Sequence, residues 1–139
     1  MLARRPFTRT FVAPVLLILL LAPGAAAQTT ATAAWRATPA SVLKGVLRNV
    51  AAAQSRHFTA QGAYAGSVAP LGLALEPGVR VDILAVGPAG WQARATHRDQ
   101  AGRSCVIFVG RVEGVESPRT DGDREMAGEN GVPLCDLMR

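Results

Sequence analysis

The chain has 139 residues, a formal charge of +5 and a low share of aromatic side chains. Arg4, Arg5 and Arg9 fall at the start, and without them the charge drops to +2. This length fits one small domain with a modest core. The aromatics beyond the start, Trp35, Phe58, Tyr64, Trp91 and Phe108, are too few and too scattered for a groove that stacks nucleic-acid bases.

Behind the basic start, Phe11 to Leu21 is an apolar run, and Ala25-Ala26-Ala27 ends it with the small-x-small pattern of a signal peptidase site. The run is shorter than the roughly 20 residues a bilayer span needs. Residues 1–27 therefore read as a cleaved signal peptide, and 28–38 as a flexible lead-in. The expected mature chain is a periplasmic or extracellular protein with no stable membrane insertion. Arg4-Arg5-Pro6-Phe7 resembles part of a twin-arginine motif, but the apolar stretch behind it fits ordinary Sec export better.

The structured domain is expected over 39–139. Thr38 or Ser41 offers a helix cap, and Pro39 is tolerated in a first turn. Leu43, Leu47, Val50 and Phe58, widened by Val42 and Val46, recur at helical spacing, with Lys44, Arg48, Asn49 and Arg56 between them. The helix should end near Gln61-Gly62. A Gly-, Ala- and Pro-rich connector from Tyr64 to Pro77 carries Leu71, Leu73 and Leu75 for packing.

Three strand-like runs follow. Val79 to Ile83 alternates apolar and charged residues, and Trp91 to His97 alternates again after the turn Gly87-Pro88-Ala89-Gly90. Asp99 to Gly102 turns the chain into a mostly apolar run, Cys105 to Val109. Short connections predict an antiparallel meander. The expected fold class is α+β: an N-terminal amphipathic helix on a three-stranded or slightly larger sheet. Val79, Val81, Ile83, Trp91, Ala93 and Ala95 should face Leu43, Leu47, Val50 and Phe58.

Cys105 and Cys135 are the only cysteines, and in an oxidising compartment such a pair reads as one structural disulfide. Closing a loop of about 30 residues contributes roughly 3–4 kcal/mol on chain-entropy grounds. The enclosed stretch, Gly110 to Pro133, is rich in glycine and acids without a sustained period. From Val112 onward three bases face seven acids, whereas Arg36 to Arg111 holds nine bases and three acids. The acidic loop is expected to fold over the basic helix and sheet edge, and removing Asp121 to Glu129 is expected to abolish partner binding while leaving the fold intact.

The order of Leu47-Arg48-Asn49-Val50-Ala51-Ala52-Ala53-Gln54 to Phe58, Gly62-Ala63-Tyr64, Pro77-Gly78-Val79, Gly90-Trp91 through His97, Cys105 and Pro133-Leu134-Cys135-Asp136 resembles the globular part of type IV pilins and pseudopilins. That resemblance implies a helix half packed on an antiparallel sheet, closed by a disulfide-bounded loop that contacts partners. It covers Ser41 to Asp136. The leader departs from the family, with an A-x-A ending and no Gly-Phe-x-x-x-Glu segment, so the expected product is a free exported domain and not a filament subunit.

Chemistry-bearing residues are sparse. His57 and His97 lack neighbours at metal-ligand spacing and read as structural or surface residues. Ser104, His97 and Asp99 could form a triad only by chance assembly, without a nucleophile elbow. Asp121, Asp123 and Glu125 alternate as calcium ligands often do, with Glu129 and Asn130 as further oxygens, but Arg124 stands among them and the EF-hand pattern is missing. The function expected is a non-catalytic interaction or structural protein whose loop meets a protein partner through Glu113, Glu116, Asp121, Asp123 and Glu125. No cofactor and no nucleic-acid partner are expected. The alternatives are an accessory subunit of a type IV pilus or type II secretion system, and a small periplasmic ligand-binding protein or hydrolase.

Overall fold

A computed structural model of the chain describes residues 37–138. The expected signal peptide, and the lead-in through residue 36, lie outside the described residues. Thr38 opens helix α1, Pro39–Gln61, from an extended backbone, and its hydroxyl accepts a hydrogen bond from the Ser41 amide at 3.2 Å. Pro39 follows where a missing N–H costs nothing. Gly62 ends the helix in the left-handed conformation at φ 72°, which suits a residue without Cβ. Leu43, Leu47, Val50, Ala53 and Gln54 are buried on one side, while Arg48, Asn49, Ser55 and Arg56 are exposed.

The strands are β1 Val79–Gly87, β2 Gly90–His97, β3 Ser104–Gly110 and β4 Leu134–Cys135, in one antiparallel sheet of order β1-β2-β3-β4. The fourth strand is short and pairs Cys135 with Cys105, which form a disulfide. β1 outruns the alternating stretch because a bulge after Ile83 leaves Leu84 unpaired and restores pairing at Ala85. Val86 then lies opposite Trp91, and Pro88-Ala89 alone form the turn between the paired Gly87 and Gly90.

Pairing register sorts the side chains into two faces. Val79, Val81, Ile83, Trp91, Ala93, Ala95, Cys105, Ile107 and Val109 share the face beneath α1. Leu43, Leu47 and Val50 pack there, joined by Leu71, Leu73 and Leu75 from the connector. A short 3-10 turn over Ala69–Leu71 delivers the first of these leucines. Phe58, expected in the core, is instead 36% exposed, bordering a small surface pocket with Trp91 and Val109 near the helix end. It stacks on Tyr64 with ring centroids 4.5 Å apart.

Gln54 occupies a position in the apolar stripe yet is fully buried. Its Nε2 donates to the Ala65 carbonyl and its Oε1 accepts from the Ala65 amide, both at 2.8 Å. The side chain thus completes the backbone bonding of the chain leaving the helix. Among the described residues no helix is long and apolar enough to cross a membrane.

Candidate functional site

The second face of the sheet carries Asp82, Gln92, Arg94, Thr96, Ser104, Val106 and Phe108. Helix α1 does not reach it. The long segment between β3 and β4 covers it instead, burying Gln92, Ser104, Val106, Thr120 and Ala127 to 5% exposure or less. This segment has two halves of different character.

Its second half, 118–133, is pinned to the sheet. Thr120 N donates to the Glu125 carbonyl and Ala127 N to the Pro118 carbonyl, both at 2.9 Å, around an Arg119–Met126 bridge. Together these make a small hairpin whose turn holds Arg124 at φ 60°. Asp136, immediately after the disulfide, grips that turn. Its Oδ2 accepts from the amides of Ser104 at 2.8 Å and Gly122 at 2.9 Å, and its Oδ1 from the Asp123 amide at 2.6 Å.

Burial penalises the Asp136 carboxylate, which is 3% exposed. The Asp123 amide, the Thr120 hydroxyl and the amides of Gly122 and Ser104 outweigh that penalty and hold its pKa below the ordinary aspartate value. The same half carries two ion pairs to the sheet. Asp121 meets Arg94 at 3.0 Å, and Asp123 meets Arg103 while also accepting from the Leu137 amide at 2.8 Å. Burial works against the Arg94 charge, but Asp82 and Asp121 together raise its pKa.

The first half, 111–117, touches the sheet at few points, Val112 lying beside Gly87. Gly110 turns the chain at φ 68°, and any Cβ there would lie 2.0 Å from the Ala89 carbonyl oxygen, so only glycine fits. Arg111 N then donates to that carbonyl at 3.1 Å. Gln92 ties the far end, its Nε2 donating to the Glu116 carbonyl at 2.7 Å. Between these ties Glu113, Val115 and Glu116 are exposed. The segment lines a cavity of about 810 Å³ together with Phe108, Pro88 and Gln92.

The sequence-derived site residues therefore separate. Glu113 and Glu116 line the cavity. Asp121 and Asp123 point back to arginines of the sheet and its turn, and Glu125 is exposed at the hairpin. The arginines already occupy the two aspartates offered as calcium ligands. Among the described residues no group of three or more His, Cys, Asp or Glu side chains is placed to hold a metal ion. Removing Asp121 to Glu129 would also delete partners of Arg94, Arg103 and Asp136, so the expectation that this deletion spares the fold is withdrawn.

Ser104 and His97 lie on opposite faces of the sheet. Ser104 Oγ accepts from the Asp121 amide at 2.8 Å, and His97 Nδ1 accepts from the Asp99 amide at 3.2 Å. The triad weighed from sequence is thus not assembled. His57 sits half-buried on α1.

Sequence reasoning missed Asp136, Gln92 and Gln54. Only Gln54 left a signal, a polar side chain at apolar helical spacing. No family model, curated protein or solved structure matches the chain.

Proposed function

We propose that the protein is an exported, non-catalytic interaction module that meets a protein partner through the 111–117 half of its disulfide-closed loop. The asymmetry of the loop carries this reading. The hairpin half spends Asp121 and Asp123 on arginines of the sheet and its turn, whereas Glu113, Val115 and Glu116 are exposed beside an open cavity on a segment tied to the sheet by Gln92. A signal-like leader and a disulfide both suit an oxidising compartment. One helix on an antiparallel meander with a C-terminal disulfide is also the layout that the pilin-like resemblance implies, which favours pilus or secretion-system components as the partner.

Site-specific photo-crosslinking in the producing cells tests the reading. A photoreactive residue at Val115 is expected to give a discrete protein adduct, and one at Arg56 on the exposed helix side is not. Failure of Val115 to crosslink, or equal adducts from both positions, overturns the proposal.

A further inference from the structure

One buried polar side chain, that of Gln92, lines the cavity. Gln92 is 5% exposed, and its amide must turn Nε2 toward the Glu116 carbonyl, since only the nitrogen can donate. Oε1 is the remaining polar atom of that amide. Among the described residues nothing donates to this oxygen, and it is not sealed from solvent. It is a solvent-open acceptor on a side chain that lines the recess, so an occupant that displaces water from it without supplying a donor binds more weakly.

The walls set the rest of the chemistry. Phe108, Val112 and Val115 supply apolar surface, and Glu113 and Glu116 supply exposed carboxylates. Among the described residues neither glutamate makes an ion pair. Arg111 is the single basic residue of the lining, so the rim is net acidic. A volume of about 810 Å³ exceeds one side chain and matches a segment of a few residues.

Resting on the reading above, we infer that this cavity seats a short basic segment of the protein partner. An apolar side chain enters beside Phe108 and Val115, a backbone N–H of the segment donates to Gln92 Oε1, and flanking lysine or arginine side chains meet Glu113 and Glu116. The acidic rim steers the basic segment, and the apolar recess retains it.

The test is an NMR titration of the purified, disulfide-bonded protein with three blocked tripeptides: acetyl-Lys-Trp-Lys-amide, acetyl-Glu-Trp-Glu-amide and acetyl-Lys-Ser-Lys-amide. Saturable shifts are expected at the Gln92 side-chain amide, Phe108, Val112 and Val115 with the first peptide. Affinity should fall at least about fivefold for the other two peptides, and equally for a Glu113→Gln, Glu116→Gln double variant. Both substitutions are exposed and isosteric, so the fold is retained. Equal binding of all three peptides, undiminished binding by the double variant, or no shift at about 10 mM peptide overturns the inference. Shifts confined to 118–127 also overturn it. Those outcomes leave the broader loop reading to the Val115 crosslink, so the two failures are told apart.

Discussion

On one face of the sheet Leu43, Leu47 and Val50 press against Trp91, Ala93, Ala95 and Ile107. On the other, Ser104, Arg94 and Gln92 hold a non-repetitive segment through the Asp121 amide, the Asp121 carboxylate and the Glu116 carbonyl. The first cover rests on area removed from water, which is non-directional and shared among many atoms. The second rests on a few directional bonds converging on Asp136, Arg94 and Arg103. The helix face should therefore fail as a whole, and the loop face piece by piece.

Breaking the helix face has the largest expected effect. Leu47→Ala removes a fully buried side chain and should cost about 2–5 kcal/mol. Denaturant unfolding followed by circular dichroism and by tryptophan fluorescence should shift together. A loss confined to α1 would break the contrast between the faces.

Asp136→Asn sharpens the contrast from the other side. It leaves the amides of Ser104, Gly122 and Asp123 short of acceptors and should cost about 1–3 kcal/mol. Amide exchange should quicken at Gly122 and Asp123 and stay unchanged in α1.

The same carboxylate predicts an acid dependence. Its pKa is lowered in the folded state, so its stabilisation is complete above the unfolded aspartate value of about 3.9 and is lost as pH falls through the lower folded value. Protection at Gly122 and Asp123 should decline below about pH 4 in the parent, and Asp136→Asn should lack that step.

The smallest effect belongs to Arg103→Gln. Its ion pair with Asp123 is 39% exposed on the arginine side, so the loss should stay below about 1 kcal/mol and shrink with added salt. A larger, salt-independent loss would mean that Arg103 packs the hairpin through its aliphatic stem.

Local patterns were legible in the chain before its structure. The period of Leu43, Leu47 and Val50 marked α1, Thr38 or Ser41 and Gln61-Gly62 marked its ends, and the alternation in Val79 to Ile83 and Trp91 to His97 marked two strands. Cys105 and Cys135 marked their own bond. These signals lie within one turn or one hairpin, where neighbours along the chain decide which face a side chain takes.

The candidate site was legible only in its composition. Glu113, Glu116, Asp121, Asp123 and Glu125 read alike as acids in a loop, yet Asp121 and Asp123 turn inward while Glu113 and Glu116 border the cavity. Their partners are distant in the chain: Asp121 meets Arg94 across 27 residues, and Ser104 meets Asp136 across 32. No periodicity encodes such pairings.

By itself the sequence determined the helix, three of the strands, their order and the covalent tie, because propensity, capping and hydrophobic period act over a few residues. Tertiary structure alone decided that the loop covers the second face of the sheet, that Asp136 gathers the hairpin turn, and that Gln92 lines an open cavity. Each of these depends on which buried donor finds which acceptor once the sheet has formed, and burial makes an unmet group costly enough to choose among folds of the same loop.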